Sequence, residues 1–329
     1  MTASGTSRNV RQAAVVYNPT KVDLARLHAS VAIAVHDGGW AKTKWFTTTE
    51  KDAGQQATKR ALAAGARLVL AAGGDGTVRA VAEALRGSGA SLAIIPTGTG
   101  NLLARNLQLN LSSLDAATAA AFSGVDRSID VGVATVTAAD RETTEHVFLV
   151  MAGLGFDAQM IANTSSALKK QVGWLAYVDG GVRSIPKLRP FRIRYSVEGR
   201  TDRPAHVSSI LVANCGVLPA NIQVLPDARL DDGILDIAVL QPKGVFGWLM
   251  IWRRVTWENG VLRRSAAGRR IIERTASTTG RVMTTLRGKS IRIVLEHPQD
   301  FELDGDEFGL VRSVSLRADP HALLVRVPA

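Results

Sequence analysis

The sequence predicts two domains of different class: an N-terminal α/β domain on a mostly parallel sheet, then an all-β domain read as an antiparallel β-sandwich. Three observations predict this. Strand and helix patterns alternate over the first hundred residues, β-rich segments separated by turns dominate after residue 130, and 329 residues with a 46% apolar fraction suffice for two packed cores.

Residues 13–17, Ala-Ala-Val-Val-Tyr, read as the first strand, followed by a helix over 23–37, a strand over 40–47 and a helix over 52–64. The apolar run at 67–72 is a buried strand that breaks into glycines, and 78–86 continues as a helix. A second buried strand at 92–96, a short helix at 102–106 and a helix at 115–122 complete the alternation. The boundary falls near 130. Beyond it, residues 131–137, 146–152, 191–197, 207–212, 234–240, 290–294 and 301–303 read as strands, interrupted by helical stretches at 159–184 and 245–257. Residues 2–12 read as a frayed terminus, and the chain carries no repeat and no low-complexity tract.

The break after the third strand carries chemistry. Gly73-Gly74-Asp75-Gly76-Thr77 places three glycines, a carboxylate and a hydroxyl between a buried strand and a helix. Such a turn aims main-chain N–H groups and the positive end of a helix dipole at one anion, and the missing side chains let a polyphosphate approach the backbone. Asp75 adds a carboxylate suited to Mg²⁺ beside it. Thr97-Gly98-Thr99-Gly100-Asn101 repeats the design after the next strand. In an open α/β sheet, ligands sit at the carboxyl ends of strands, so two such turns predict a nucleotide there. Neither the Gly-x-Gly-x-x-Gly spacing nor the P-loop spacing is present.

Composition narrows the partners. No run approaches 18 uninterrupted apolar residues and residues 1–12 lack the apolar core of a signal peptide, so a cytoplasmic protein is expected. Cys215, the only cysteine, excludes an intrachain disulfide and a thiolate metal site, and reads as a buried structural thiol. The six histidines fall singly, without metal-ligand or triad spacing. The net charge of +11 is concentrated: residues 250–292 hold eleven Lys/Arg against two Glu, and residues 167–203 hold nine against three acidic residues. These stretches interleave Trp174, Leu175 and Tyr177, and Phe246, Trp248, Leu249, Ile251, Trp252 and Trp257, a pattern suited to peripheral docking on an anionic membrane surface. Core packing is the competing reading of each tryptophan. No helix-turn-helix, zinc-finger or RNA-recognition signature is present, so no specific nucleic acid is expected as partner.

The two glycine turns, preceded by Val15-Val16-Tyr17-Asn18-Pro19, resemble the diacylglycerol kinase catalytic-domain family, and more narrowly its bacterial soluble lipid kinases. Gly153-Leu154-Gly155-Phe156-Asp157-Ala158, the segment 225–236 and Phe301-Glu302-Leu303-Asp304-Gly305-Asp306 extend the resemblance over nearly the whole chain. Gly-Gly-Asp-Gly alone would also fit NAD kinases and phosphofructokinases, which are similar there.

The resemblance implies an NAD kinase/phosphofructokinase-like first domain over 1–130, completed by 320–329, and a β-sandwich lipid-binding domain over 131–319. It implies transfer of the ATP γ-phosphoryl group to a lipid hydroxyl, with diacylglycerol as the leading acceptor and a sphingoid or other lipid alcohol as the alternative, and it leaves room for a homodimer. Asn18, Thr49, Gly73, Gly74, Asp75, Gly76, Thr77 and Thr99 are the implied nucleotide-binding residues, with Thr48 an equal register for Thr49. Asp304, on an Asp-Gly turn, is the implied general base, with Asp75 the next catalytic candidate; the bare Asp-Gly pair is also an ordinary hairpin turn. Asp232, with the main-chain carbonyls of Arg229 and Ile234, is the implied structural Mg²⁺ site, against a solvated hairpin. Asp157 reads equally as a cleft residue or a helix cap. Two departures stand out: Asp306 replaces the family's glutamate, leaving Glu307 or water to complete that network, and Leu102 replaces an acidic residue after Asn101.

Overall fold

The computed structural model describes residues 11–155, 190–218, 222–244, 247, 250–251 and 282–329. Its described residues divide into two compact units, one lying within 1–98, 107–128 and 323–329, the other within 99–106 and 129–322.

The first unit is a parallel sheet. Its strands are β1 (Ala13–Tyr17), β2 (Lys44–Thr47), β3 (Leu68–Gly73) and β4 (Ser91–Pro96), in the order β2-β1-β3-β4. The helices are α1 (Leu24–Gly38), α2 (Gln55–Ala63), α3 (Asp75–Leu85) and, after the chain returns, α5 (Leu114–Ser123). Alternation decides the packing: Ala13, Val15, Leu68, Leu70, Ala72, Ala93 and Ile95 share one face with Leu27 and Val31 of α1 and Ala117, Ala121 and Phe122 of α5. Trp40 closes this core, its indole N–H donating to the Phe122 carbonyl at 3.1 Å. Asp23 caps α1 by accepting the Arg26 N–H, and Gly39 ends it in the left-handed conformation. The last residues of the chain add a fifth parallel strand, Leu324 and Val325 pairing with Ser91 and Leu92. Arg326 holds that segment by donating to the Gly124 carbonyl at 2.7 Å.

The described strands of the second unit pair with one another antiparallel. They are β5 (Val125–Ala138), β6 (Thr143–Phe148), β7 (Met151–Leu154), β8 (Phe191–Val197), β9 (Arg203–Val207), β10 (Ser209–Ala213), β11 (Val217–Leu218), β12 (Ile222–Gln223), β13 (Leu235–Leu240), β14 (Met283–Gly288), β15 (Ser290–Leu303) and β16 (Asp306–Val327). The main ladder runs β14-β13-β10-β7-β15-β16, with β8 also paired to β15 and β9 to β8. Phe148, Phe301, Leu154, Ile210, Ile237, Ile293 and Val314 lie at its centre. A short helix, α4 (Leu102–Asn106), is tied to β11 by the Asn106 amide, which donates to the Val217 carbonyl at 2.8 Å and accepts the Val217 N–H at 3.1 Å.

The element reading needs three corrections. Residues 290–294 and 301–303 are one strand, β15, interrupted by register shifts between Val294 and Gln299 and between Asp300 and Glu302. Pro298 lies in the first irregularity, where a missing N–H is tolerated. Residues 146–152 divide between β6 and β7 because the segment between them turns to meet Asp304. Met283–Gly288 and Asp306–Val327 are strands that the sequence reading omitted. The helical stretches 159–184 and 245–257 lie essentially outside the described residues.

Candidate active site

In the first unit, the implied nucleotide-binding residues other than Thr99 follow the carboxyl ends of the parallel strands β1, β2 and β3. Asn18 follows β1, its N–H donating to the Ala72 carbonyl of β3 at 2.9 Å. Its side-chain oxygen accepts from the Thr20 N–H at 3.0 Å and hydroxyl at 2.8 Å, folding residues 18–21 into a tight turn. After β2, Thr48 is buried while Thr49 is exposed, its hydroxyl accepting the Asp52 N–H at 3.1 Å. Of the two registers, only Thr49 opens to solvent.

Gly73 and Gly74 are buried at the end of β3, and Gly74 is the N-cap of α3 with no side-chain cap. The first-turn N–H groups of a helix have no intrahelical acceptor, so an anion brought to this turn would meet main-chain donors. Asp75 and Gly76 are half-buried and Thr77 is buried. A Cβ at Gly73 would lie 2.6 Å from the Thr77 side chain, so glycine is required there for the turn to close. At Gly74 a Cβ would lie 3.0 Å from the Lys21 ammonium and 3.9 Å from the Gly98 Cα. Lys21 therefore stands over the glycine turn. Lys21 lies outside both glycine motifs, and only its place three residues beyond a strand-end asparagine marks it in the sequence. The hydroxyl of Thr97, at the end of β4, is buried without a hydrogen-bond partner. An uncapped helix, a cationic side chain and an orphaned hydroxyl fit a polyphosphate such as that of ATP.

Thr99 belongs to the second unit and is exposed. Asn101 adopts φ 48° at the start of α4, and Leu102 behind it is buried. Arg105 folds back, its Nε donating to the Gly100 carbonyl at 2.7 Å.

Asp304 and Gly305 form the two-residue turn between β15 and β16, with φ of 52° and 86°. Positive φ at both positions suits the type I′ hairpin that Asp-Gly favours. The carboxylate, however, is buried and accepts three main-chain N–H groups, from Leu149 at 2.8 Å, Val150 at 2.8 Å and Met151 at 3.0 Å. Cys215 is buried nearby, its thiol 3.5 Å from the Leu149 carbonyl. Burial, and then the charge of Asp304, push that thiol well above its ordinary pKa. Asp306 and Glu307 are exposed beyond the turn, in register with Leu303 and Glu302. Asp157 lies outside the described residues.

The third group gathers before β13. Asp232 accepts the Ile234 N–H on Oδ1 at 3.1 Å and the Arg287 guanidinium on Oδ2 at 2.7 Å. The same guanidinium donates through Nε to Asp236 at 3.0 Å. Burial raises the Asp236 pKa, an effect that Arg287 opposes; burial works against the charge on Arg287, but the two carboxylates prevail and raise its pKa. Arg229 is exposed and Ile234 half-buried. Among the described residues no three His, Cys, Asp or Glu side chains are placed to hold a metal. With both Asp232 oxygens engaged and a cation already beside them, these residues as placed do not fit Mg²⁺.

The diacylglycerol kinase catalytic-domain model matches residues 12–134, and the YegS C-terminal NAD kinase β-sandwich-like domain model matches 149–256. A Pseudomonas putida protein named "probable lipid kinase YegS-like" is 36% identical over 222 residues, 65% of this chain and 70% of its own. The chain belongs to the diacylglycerol kinase catalytic-domain family. A diacylglycerol kinase of Bacillus subtilis is 29% identical over 236 residues, 70% of this chain and 74% of its own. Against the Pseudomonas aeruginosa protein of the same printed name, identity is 36% and the chain spans 64% of that relative's length. A diacylglycerol kinase structure from Bacillus anthracis superposes with a TM-score of 0.67 at 17% identity, covering 97% of each chain. That likeness shows the fold, an α/β region followed by an antiparallel β region, and the second family description calls the latter NAD kinase β-sandwich-like.

Proposed function

We propose that this chain transfers the γ-phosphoryl group of ATP to the hydroxyl of a lipid, with diacylglycerol as acceptor and phosphatidic acid as product. The observation that carries the reading is the uncapped α3 N-terminus at Gly73–Gly74 with Lys21 standing over it. Family membership supports the choice of a lipid acceptor.

In this reading the N–H groups after Gly74 and the Lys21 ammonium hold the phosphates, Asn18, Thr49 and Thr99 contact the nucleotide, and Asp75 faces the magnesium that arrives with ATP. The lipid oxygen bonds to the γ-phosphorus as the bond to the bridging β,γ oxygen breaks, ADP leaves, and the hydroxyl proton passes to Asp304. The three N–H donors fix the Asp304 carboxylate in one orientation. Taking a proton there means loosening one of those bonds, which makes Asp304 the first residue to test. A cytoplasmic enzyme must meet such a lipid at a bilayer, and the exposed Arg192 and Arg194, in the described part of the second basic stretch, favour an anionic one. Among the described residues no helix is long and apolar enough to cross a membrane.

A second reading has its own observation. Leu102 buries an apolar side chain where many relatives by resemblance carry an acidic one, which favours a sphingoid or other lipid alcohol. Labelled ATP is incubated with vesicles of total lipid extract, then with vesicles carrying diacylglycerol or a sphingoid base, and the labelled product is identified. Label in phosphatidic acid is the expected result, label in a sphingoid phosphate selects the second reading, and absence of label from every lipid phase overturns both.

A further inference from the structure

The loop before β13 is fastened from two sides. Asp130 is fully buried, and its carboxylate accepts the Gly233 N–H at 2.6 Å and the His321 N–H at 2.9 Å, while its own N–H donates to the Leu230 carbonyl at 2.6 Å. From the other side comes Arg287. It lies directly opposite Asp236 in the antiparallel β13–β14 pair, so the two side chains share one face of the ladder. The planar guanidinium reaches Asp236 with Nε and Asp232 with Nη2, two charge-assisted bonds from one cation to carboxylates four residues apart.

Two carboxylates held this close repel each other unless a cation sits between them. The resemblance would supply Mg²⁺, bound through Asp232. In this chain the position is taken by a covalently attached charge, and a divalent ion brought to Asp232 would have to displace Arg287 or endure its repulsion. We infer that Arg287 is the resident cation of the 229–236 loop, holding in place of a divalent metal the conformation that the family resemblance assigns to a structural Mg²⁺. One strain in the arrangement remains: Asp236 Oδ2 is buried without a hydrogen-bond partner, because one guanidinium shared between two carboxylates does not saturate both.

The inference is tested without nucleotide or lipid, so its failure is separate from that of the kinase reading. Thermal unfolding of the full chain is followed in EDTA and in millimolar magnesium chloride at matched ionic strength, for wild type, Asp232→Asn and Arg287→Gln. The magnesium-induced change in Tm is expected to be the same in wild type and Asp232→Asn. Arg287→Gln is expected to melt below wild type and to recover part of the loss in magnesium, as a metal enters the vacated position. A rise in Tm that wild type shows and Asp232→Asn lacks would place the metal on Asp232 and overturn the inference, as would an Arg287→Gln variant as stable as wild type. If Arg287→Gln fails to fold, the comparison of wild type with Asp232→Asn decides alone.

Discussion

Asp304→Asn separates a catalytic carboxylate from a structural one, because the two roles fail in different measurements. Asparagine tolerates the left-handed φ of 52° that residue 304 adopts, so the turn itself is not strained by the change. Its one carbonyl oxygen can keep the Val150 and Met151 N–H groups, both of which bond Oδ1. The amide NH₂ then faces the Leu149 N–H, donor against donor, in a buried site. A buried donor left unsatisfied costs about 1–3 kcal/mol, and two bonds weakened from charged to neutral acceptor add about 1 kcal/mol, for a total of about 2–4 kcal/mol. With about 2–4 °C per kcal/mol for a unit of this size, Tm should fall by roughly 4–16 °C. Thermal melts give the first readout. Turnover per folded molecule, measured well below the lowered Tm at saturating ATP, gives the second, and a positioned general base predicts a loss of roughly 10²–10⁴-fold with ATP affinity nearly unchanged. A Tm within 2 °C of wild type, inside the scatter expected of surface changes, would refute the three-donor site. A lowered Tm with unchanged kcat would leave Asp304 as an anchor alone.

Asp75→Ala should abolish turnover while circular dichroism and Tm remain near wild type, and near-normal activity would move the magnesium contact elsewhere. Lys21→Met should weaken ATP binding by roughly ten- to hundred-fold, the worth of one charge-assisted bond of about 1.5–3 kcal/mol, with AMP binding little affected; equal loss for both nucleotides in a titration would place Lys21 away from the terminal phosphates. Cys215 should resist thiol reagents in the native protein and react only on unfolding. Its pKa is raised in the folded state, so its contribution to stability is complete below the ordinary value of 9.0 and is lost as pH climbs above it; Cys215→Ala should flatten denaturant stability over that alkaline range. Replacing Arg253, Arg254, Arg263 and Arg264 by Gln should raise KM for lipid in anionic vesicles, hardly change KM for ATP, and erase a salt dependence set by a Debye length of about 8 Å; equal kinetics on neutral and anionic vesicles would withdraw the docking surface.

The parallel half of the fold was legible because its signals are local. Buried runs such as Leu68–Gly73 and Ser91–Pro96 end in glycine turns that only a strand-to-helix connection explains. The antiparallel half hid its longest strand. Asp306–Val327 contains Gly309 and Pro320, each of which argues against a continuous strand until its partners are known. Met283–Gly288 lay inside a basic stretch and was absorbed into a surface reading, although Arg287 turns onto carboxylates 51 and 55 residues earlier in the chain. No spacing rule reaches that far, since such a pair is fixed by strand register alone.

The same limit applies to the aspartates, and it shows what the segments of the family resemblance do for one another. The N–H groups of Leu149, Val150 and Met151 all donate to Asp304. Their carbonyls are equally occupied: that of Leu149 accepts from the Asn214 side chain at 3.0 Å, that of Val150 from the N–H groups of Asn214 and Cys215 at 2.8 and 3.2 Å, and that of Met151 from the Asp304 N–H at 2.9 Å. Three peptide units in a buried turn would leave six polar groups to satisfy, and the two segments at 214–215 and 304 satisfy every one. Residues far apart in the sequence are therefore one device, in which the hairpin aspartate and the end of β10 hold the β6–β7 turn and with it the Gly153-Leu154-Gly155 run that follows. An aspartate in such a device is retained by the fold whether or not it also moves a proton, so its presence in a motif is weak warrant for catalysis. The rate per folded molecule, rather than the motif, must assign the role.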